Sequence, residues 1–165
     1  MASRIDFCNV VTDIYKTHGV YVWGGNGEYL ERLTVGRIHD MEDTDGNAAR
    51  VFRFIAGCYD KGWNMTKSRC VDCSGLVIAG LRSIGAIGPN DDYRARDLQK
   101  MSKPVELNKL RPGDLVFNKM EAATHCGIYD GYDMVIEAMG RDKGVTRTKL
   151  SSGKWVIGGS LKFFE

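Results

Sequence analysis

A chain of 165 residues with 43% apolar side chains carries enough apolar matter for one full core, and no Pro/Ser-rich linker divides it. A single domain spanning residues 1–165 is therefore predicted. The formal net charge of +2 is too mild to mark a nucleic-acid-binding protein, no apolar stretch is long enough for membrane insertion, and the first residues lack the basic start and apolar run of a secretion signal.

In chain order, Ile5, Cys8, Val11, Ile14 and Tyr15 recur at helical spacing, with Ser3 placed to cap that helix and Gly19 to end it. Tyr21-Val22-Trp23-Gly24-Gly25 follows. Its glycines, with Gly27, lack the strand-to-helix context of a phosphate loop, which removes nucleotide binding from consideration there. Asp40 to Gly46 is acidic and reads as turn, and apolar positions 48, 51, 52, 55 and 59 read as an amphipathic helix. His18 and His39 read as ordinary surface residues at a helix end and in the segment beyond it.

Val71-Asp72-Cys73-Ser74-Gly75-Leu76-Val77 sets a cysteine where a polar turn gives way to an apolar helix, with Asp72 as N-cap and Gly85 as stop. A thiol there faces unpaired N–H groups and the positive end of the helix dipole, which favour thiolate. By itself the motif fits either a nucleophile or a small packed residue. Cys70 and Cys73 form a C-x-x-C, but Cys8, Cys58 and Cys126 are scattered singly, and a redox pair would open its helix at the first cysteine. Neither a metal site nor a cofactor is expected.

From Leu115 onward, alternating runs at 115–118, 125–130, 134–138, 145–150, 154–157 and 161–164 predict an antiparallel sheet after a helical half, an α+β fold. If residues 131 to 133 form a hairpin loop, Asp130 pairs with Met134 and Gly127 with Glu137. His125 then shares a face with Glu137, the space over Gly127 lets the carboxylate lean toward the imidazole, and Cys126 points the other way into the core. A base and its orienter are what an activated thiol needs, although an isolated His/Glu pair also fits an ordinary hairpin.

Tyr21 to Gly25, Asp72 to Val77, Arg111-Pro112-Gly113-Asp114-Leu115-Val116-Phe117, His125 to Tyr129 and Val135 to Ala138 resemble, in order, the motifs of the NlpC/P60 cysteine peptidases. The resemblance implies a papain-like fold that cuts peptidoglycan stem peptides, usually between γ-D-glutamate and a diamino acid. It maps the catalytic Cys onto Cys73 and the catalytic His onto His125. The third catalytic position, more often His, falls on Glu137. Tyr21, Asp72 and Ser74 are implied on the substrate side, and Asp72 would meet a free amino terminus if its capping role leaves it free. Trp23 either stacks on substrate or packs, and packing is favoured by its apolar area.

A second departure is the length between the Trp-Gly-Gly and Asp-Cys-Ser-Gly blocks, where residues 26 to 71 form an insertion. It either walls one side of the substrate groove or pads a remote surface. Alternatives to the peptidase are a thiol amidase or acyltransferase on the same fold, or a catalytically silent binding module. Action at the bacterial cell wall without a signal would imply a phage lysin or tail component, an injected toxin, or a trimmed chain.

Overall fold

The computed structural model describes residues 2–164. Helix α1, Arg4–Lys16, starts where the Ser3 hydroxyl accepts the Asp6 N–H, and it buries Phe7, Val11 and Ile14 at 3.6-residue spacing. Val11 and Ile14 of the predicted stripe are thus buried, but Phe7 heads it, and Ile5 is 73% exposed. The turn after the helix is made by His18 in the left-handed region at φ 63°, ahead of the predicted stop at Gly19.

The N-terminal half is not purely helical, contrary to expectation. Strands β1 (Val20–Tyr21), β2 (Asn26–Tyr29) and β3 (Arg69–Val71) form a small sheet ordered β1-β3-β2, with β1 parallel to β3 and β2 antiparallel to it. Between β2 and β3 lie α2 (Val35–Met41) and α3 (Asp45–Asp60), capped by the hydroxyls of Thr34 and Thr44. These caps divide the acidic run predicted as a turn: Asp40 and Met41 belong to α2, Asp45 and Gly46 to α3. Helix α3 buries Ala48, Val51 and Cys58, whereas Tyr59, expected inside, is 61% exposed.

Helix α4, Cys73–Ser83, runs through the middle of the molecule with residues 75 to 81 fully buried, between α1 and a second sheet. That sheet is wholly antiparallel, ordered β4-β9-β5-β6-β7-β8. Its strands are β4 (Ser102–Val105), which follows α5 (Ala95–Met101), then β5 (Leu115–Phe117), β6 (Cys126–Tyr129), β7 (Met134–Gly140), β8 (Gly144–Lys149) and β9 (Ile157–Leu161). β4 went unpredicted because its sequence is polar and contains Pro104, which an edge strand tolerates. The two last predicted runs are replaced by β9 alone, which enters between β4 and β5.

The β6/β7 hairpin has the predicted register: Ile128 pairs with Ile136, Tyr129 with Val135, and the Asp130 N–H donates to the Met134 carbonyl at 3.0 Å. Asp114 of the Arg-Pro-Gly-Asp block is fully buried, accepts the Arg111 N–H, and takes Arg4 of α1 in an ion pair at 2.6 Å. That contact ties the first helix to the sheet. A second core, with Val20, Val22 and Cys70 under Ile38, Val51, Cys58 and Met65, joins the insertion to the small sheet. No helix among the described residues is long and apolar enough to cross a membrane.

Candidate active site

Cys73 is the first residue of α4. Asp72 caps the helix by accepting the Gly75 N–H at 2.7 Å with one oxygen, while its other oxygen accepts the Gly24 N–H at 3.0 Å. The Asp72 N–H in turn donates to the Gly25 carbonyl at 3.0 Å. Gly75 is required here, since a Cβ on it would lie 1.7 Å from the Gly25 oxygen. The Trp-Gly-Gly and Asp-Cys-Ser-Gly blocks are thus one structure, and they hold Tyr21 near the thiol. Burial raises the Asp72 carboxyl to about 6 against the opposing hydrogen bonds, and the Ser74 hydroxyl donates to it at 3.3 Å. With both oxygens engaged, Asp72 works first as a clamp between the blocks.

His125 immediately precedes β6, and its Nε2 lies 2.5 Å from Glu137 Oε2 of β7. Pairing through Nε2 leaves Nδ1 for the thiol. Asn118 accepts the backbone N–H groups of both Thr124 and His125 at 3.1 Å, fixing the approach to the strand. Trp155 stacks on the imidazole, with centroids 5.4 Å apart and planes 17° apart. The space over Gly127 is occupied by Val135 and Trp155 rather than by the Glu137 carboxylate, and a Cβ there would lie 2.5 Å from Val135. Glu137 reaches His125 across the diagonal without that room.

Cys126 is fully buried, as a residue facing away from His125 should be, yet its face meets the start of α4, and its Sγ lies 3.5 Å from the Cys73 carbonyl. A hydrogen bond from the Cys126 thiol is the foremost influence lowering the Cys73 pKa to about 4, in opposition to burial and with help from the His125 ring and the Ser74 N–H. Burial pulls His125 down, but its hydrogen bonds to Cys73 and Glu137 outweigh this and raise it to about 9. The site therefore favours a thiolate facing an imidazolium. Cys70, three residues before Cys73, is a core residue of β3 whose thiol burial pushes up to about 12.

Tyr21 is half-buried, and its hydroxyl is pushed up to about 12, by burial first and then by the neighbouring charges of Cys73 and Asp72. Trp23 is 55% exposed, so the packing expected for it is not observed. The Arg141 guanidinium lies 5.5 Å from the Tyr21 ring centre and 5.9 Å from that of Trp23. Arg141 is held by Glu42, a buried carboxylate of the insertion that accepts Arg141 Nε–H at 2.7 Å and the Trp23 N–H at 3.0 Å. Sequence reasoning missed Trp155, Cys126, Arg141 and Glu42. Trp155, Arg141 and Glu42 reach the site from chain-distant segments, whereas Cys126 was read as a core residue facing away from His125, and alternation alone gave no sign that its face meets the start of α4.

A thiol at a helix start, an imidazole at a strand edge and a carboxylate on the next strand define a Cys/His/Glu constellation on an α+β frame. The NlpC/P60 family pattern matches residues 59–157, and the chain belongs to that family. Murein DD-endopeptidase MepH of Escherichia coli is 32% identical over 91 residues, covering 51% of this chain and 32% of MepH. A probable endopeptidase of Corynebacterium glutamicum is 36% identical over 78 residues, covering 47% and 35%. The match thus spans about a third of the length of these curated relatives. Among solved structures, the P60 domain of a Mycobacterium avium subspecies paratuberculosis antigen superposes with a TM-score of 0.60 at 19% identity, covering 98% of both chains. The peptidoglycan hydrolase RipB of Mycobacterium tuberculosis gives 0.60 at 18% identity, covering 98% of this chain and 67% of that one. RipD of the same organism, described as a non-catalytic NlpC/p60 domain protein, gives 0.57 at 17% identity, covering 94% and 97%. At these identities the likeness is one of fold.

Proposed function

We propose that this chain is a cysteine endopeptidase acting on stem peptides of bacterial cell-wall peptidoglycan, at the bond between γ-D-glutamate and a diamino acid. The observation that carries the reading is the Cys73 thiolate beside a His125 ring braced by Glu137 at 2.5 Å. The named activities of MepH and RipB support peptidoglycan as the substrate class.

Cys73 attacks the amide carbonyl, and backbone N–H groups in the first turn of α4 hold the resulting oxyanion. His125 gives its Nδ1 proton to the leaving amine, then takes a proton from the water that hydrolyses the acyl-enzyme. Glu137 keeps the ring oriented and stabilises its charged form. Tyr21, Ser74 and Trp23 line the substrate side, with Asp72 beneath them.

Mass spectrometry of products from purified peptidoglycan tests the reading, because each bond cut leaves a different new amine. Cleavage that disappears in Cys73→Ala supports it. Stem-peptide binding without cleavage by the unsubstituted protein would make the chain a binding module instead.

A further inference from the structure

On a face lined by none of the proposed catalytic residues, α3 of the insertion leaves a cleft of about 600 Å³ against the end of α1 and the β7/β8 turn, continuous with a shallower one of about 490 Å³ along α3. Lys16 at the end of α1, Arg53 and Lys61 on α3 and its C-cap, and Lys143 in the β7/β8 turn line these clefts, and none has a carboxylate partner among the described residues. Asp142 is the single acid of the lining, and Arg50 engages it through two hydrogen bonds. For a chain of net charge +2, this is a strong local concentration of positive charge.

Two further observations point to a ligand. His18 occupies a left-handed backbone position that glycine takes at least cost, and its ring lies flat on Trp63, with centroids 4.1 Å apart and planes 11° apart. The Lys61 ammonium sits 4.6 Å from the other partner of that slab, the Trp63 ring centre. The hydroxyl of Thr146, which also lines the cleft, is buried without a hydrogen-bond partner among the described residues. The result is a stacked aromatic pair with one ammonium against it, in a cleft that Lys16 and Lys143 also line.

We infer that this cleft binds an anionic polyol-phosphate strand of the bacterial wall, so that the insertion anchors the enzyme on its substrate surface. Compact ammonium groups and the Arg53 fork suit phosphate oxygens, and the His18/Trp63 slab suits the carbon face of a polyol or sugar unit. The inference rests on the proposed wall-peptide hydrolysis, which brings the protein against such polymers; the mild overall charge disfavours nucleic acid as the occupant.

Calorimetric titration with poly(glycerol phosphate) at low salt tests it, alongside hydrolysis of a soluble stem peptide. Saturable binding is expected, weakening as salt rises. The triple variant Arg53→Ala/Lys61→Ala/Lys143→Ala should bind about tenfold or more weakly with a shallower salt dependence. Trp63→Ala should weaken binding while leaving the salt dependence in place. Both variants should hydrolyse the soluble peptide at the parental rate. No binding at low salt, equal binding by the triple variant, or equally tight binding of an oligodeoxynucleotide with the same number of phosphates would overturn the inference. Hydrolysis without polymer binding defeats this inference alone, whereas a parent protein that cannot cut the soluble peptide defeats the catalytic reading.

Discussion

At the residue scale, the site's chemistry is controlled by which atoms meet the Cys73 sulfur. With the thiol lowered to about 4 and the imidazole raised to about 9, thiolate is present above the first value and imidazolium below the second. Peptide hydrolysis needs both, so kcat/KM should be bell-shaped, falling below about pH 4 and above about pH 9. Alkylation by iodoacetamide needs only the thiolate, so labelling of Cys73 should begin on the acid side and continue past the alkaline limb. Cys126→Ala removes a donor to the thiolate and should move the acid limb and the labelling onset toward neutrality. An unmoved onset would show that Cys126 only fills space. His125→Ala removes the proton donor and should cost about a thousandfold or more in kcat/KM. Glu137→Ala should cost less, because Trp155 still holds the ring by stacking. Equal activity of Glu137→Ala and the parent, measured on the same peptide, would strip Glu137 of any orienting role.

At the element scale, the catalytic helix is positioned by backbone contact, which makes Gly75 the most sensitive point of the scaffold. Gly75→Ala must displace the Gly25 carbonyl, 1.7 Å from the added carbon, and should destabilise the protein by about 3 kcal/mol in urea unfolding. Because Gly24 and Gly25 also bind Asp72, the same change should slow Cys73 alkylation in the molecules that remain folded. An unchanged urea midpoint would contradict the contact. The β6/β7 hairpin was legible in the sequence because alternation fixes a face and the Gly131-Tyr132-Asp133 loop fixes a register; both Gly131 and Asp133 adopt positive φ, as that turn requires. The small sheet was not legible. Strands of two to four residues are too short to show alternation, and the β1/β3 pairing joins positions fifty residues apart. Separation in sequence likewise concealed the stacking of Trp155 on His125, which depends on how the chain returns after β8. Pattern thus revealed the His125/Glu137 pair and the cysteine at the start of α4, whereas packing supplied the groups that surround them.

At the scale of the whole molecule, the insertion is joined to the fold too closely to be surface padding. It covers Val20 and Val22 with its own apolar residues, so replacing residues 30 to 66 with a short Gly/Ser loop should abolish cooperative unfolding rather than isolate an effect on specificity. Glu42 offers a finer test, because it joins the insertion to the segment that carries Tyr21 and Trp23 by a hydrogen bond from the Trp23 N–H. Glu42→Ala would leave Arg141, itself largely buried, with only the exposed Asp43 at 3.9 Å as counter-charge, and should therefore cost stability. Glu42→Gln keeps the shape and one acceptor oxygen, enough for either the Trp23 N–H or the Arg141 Nε–H, while removing the second acceptor and the charge that fixes the guanidinium under the two rings. If that assembly forms one wall of the groove, loosening it removes binding energy shared by ground and transition states. KM should rise about tenfold, equivalent to ~1.4 kcal/mol, with kcat and Cys73 alkylation near the parental values. A folded Glu42→Gln variant with parental KM would confine the insertion's part in the site to holding β1 in place, whereas a fall in kcat alone would mean that Arg141 acts on the transition state.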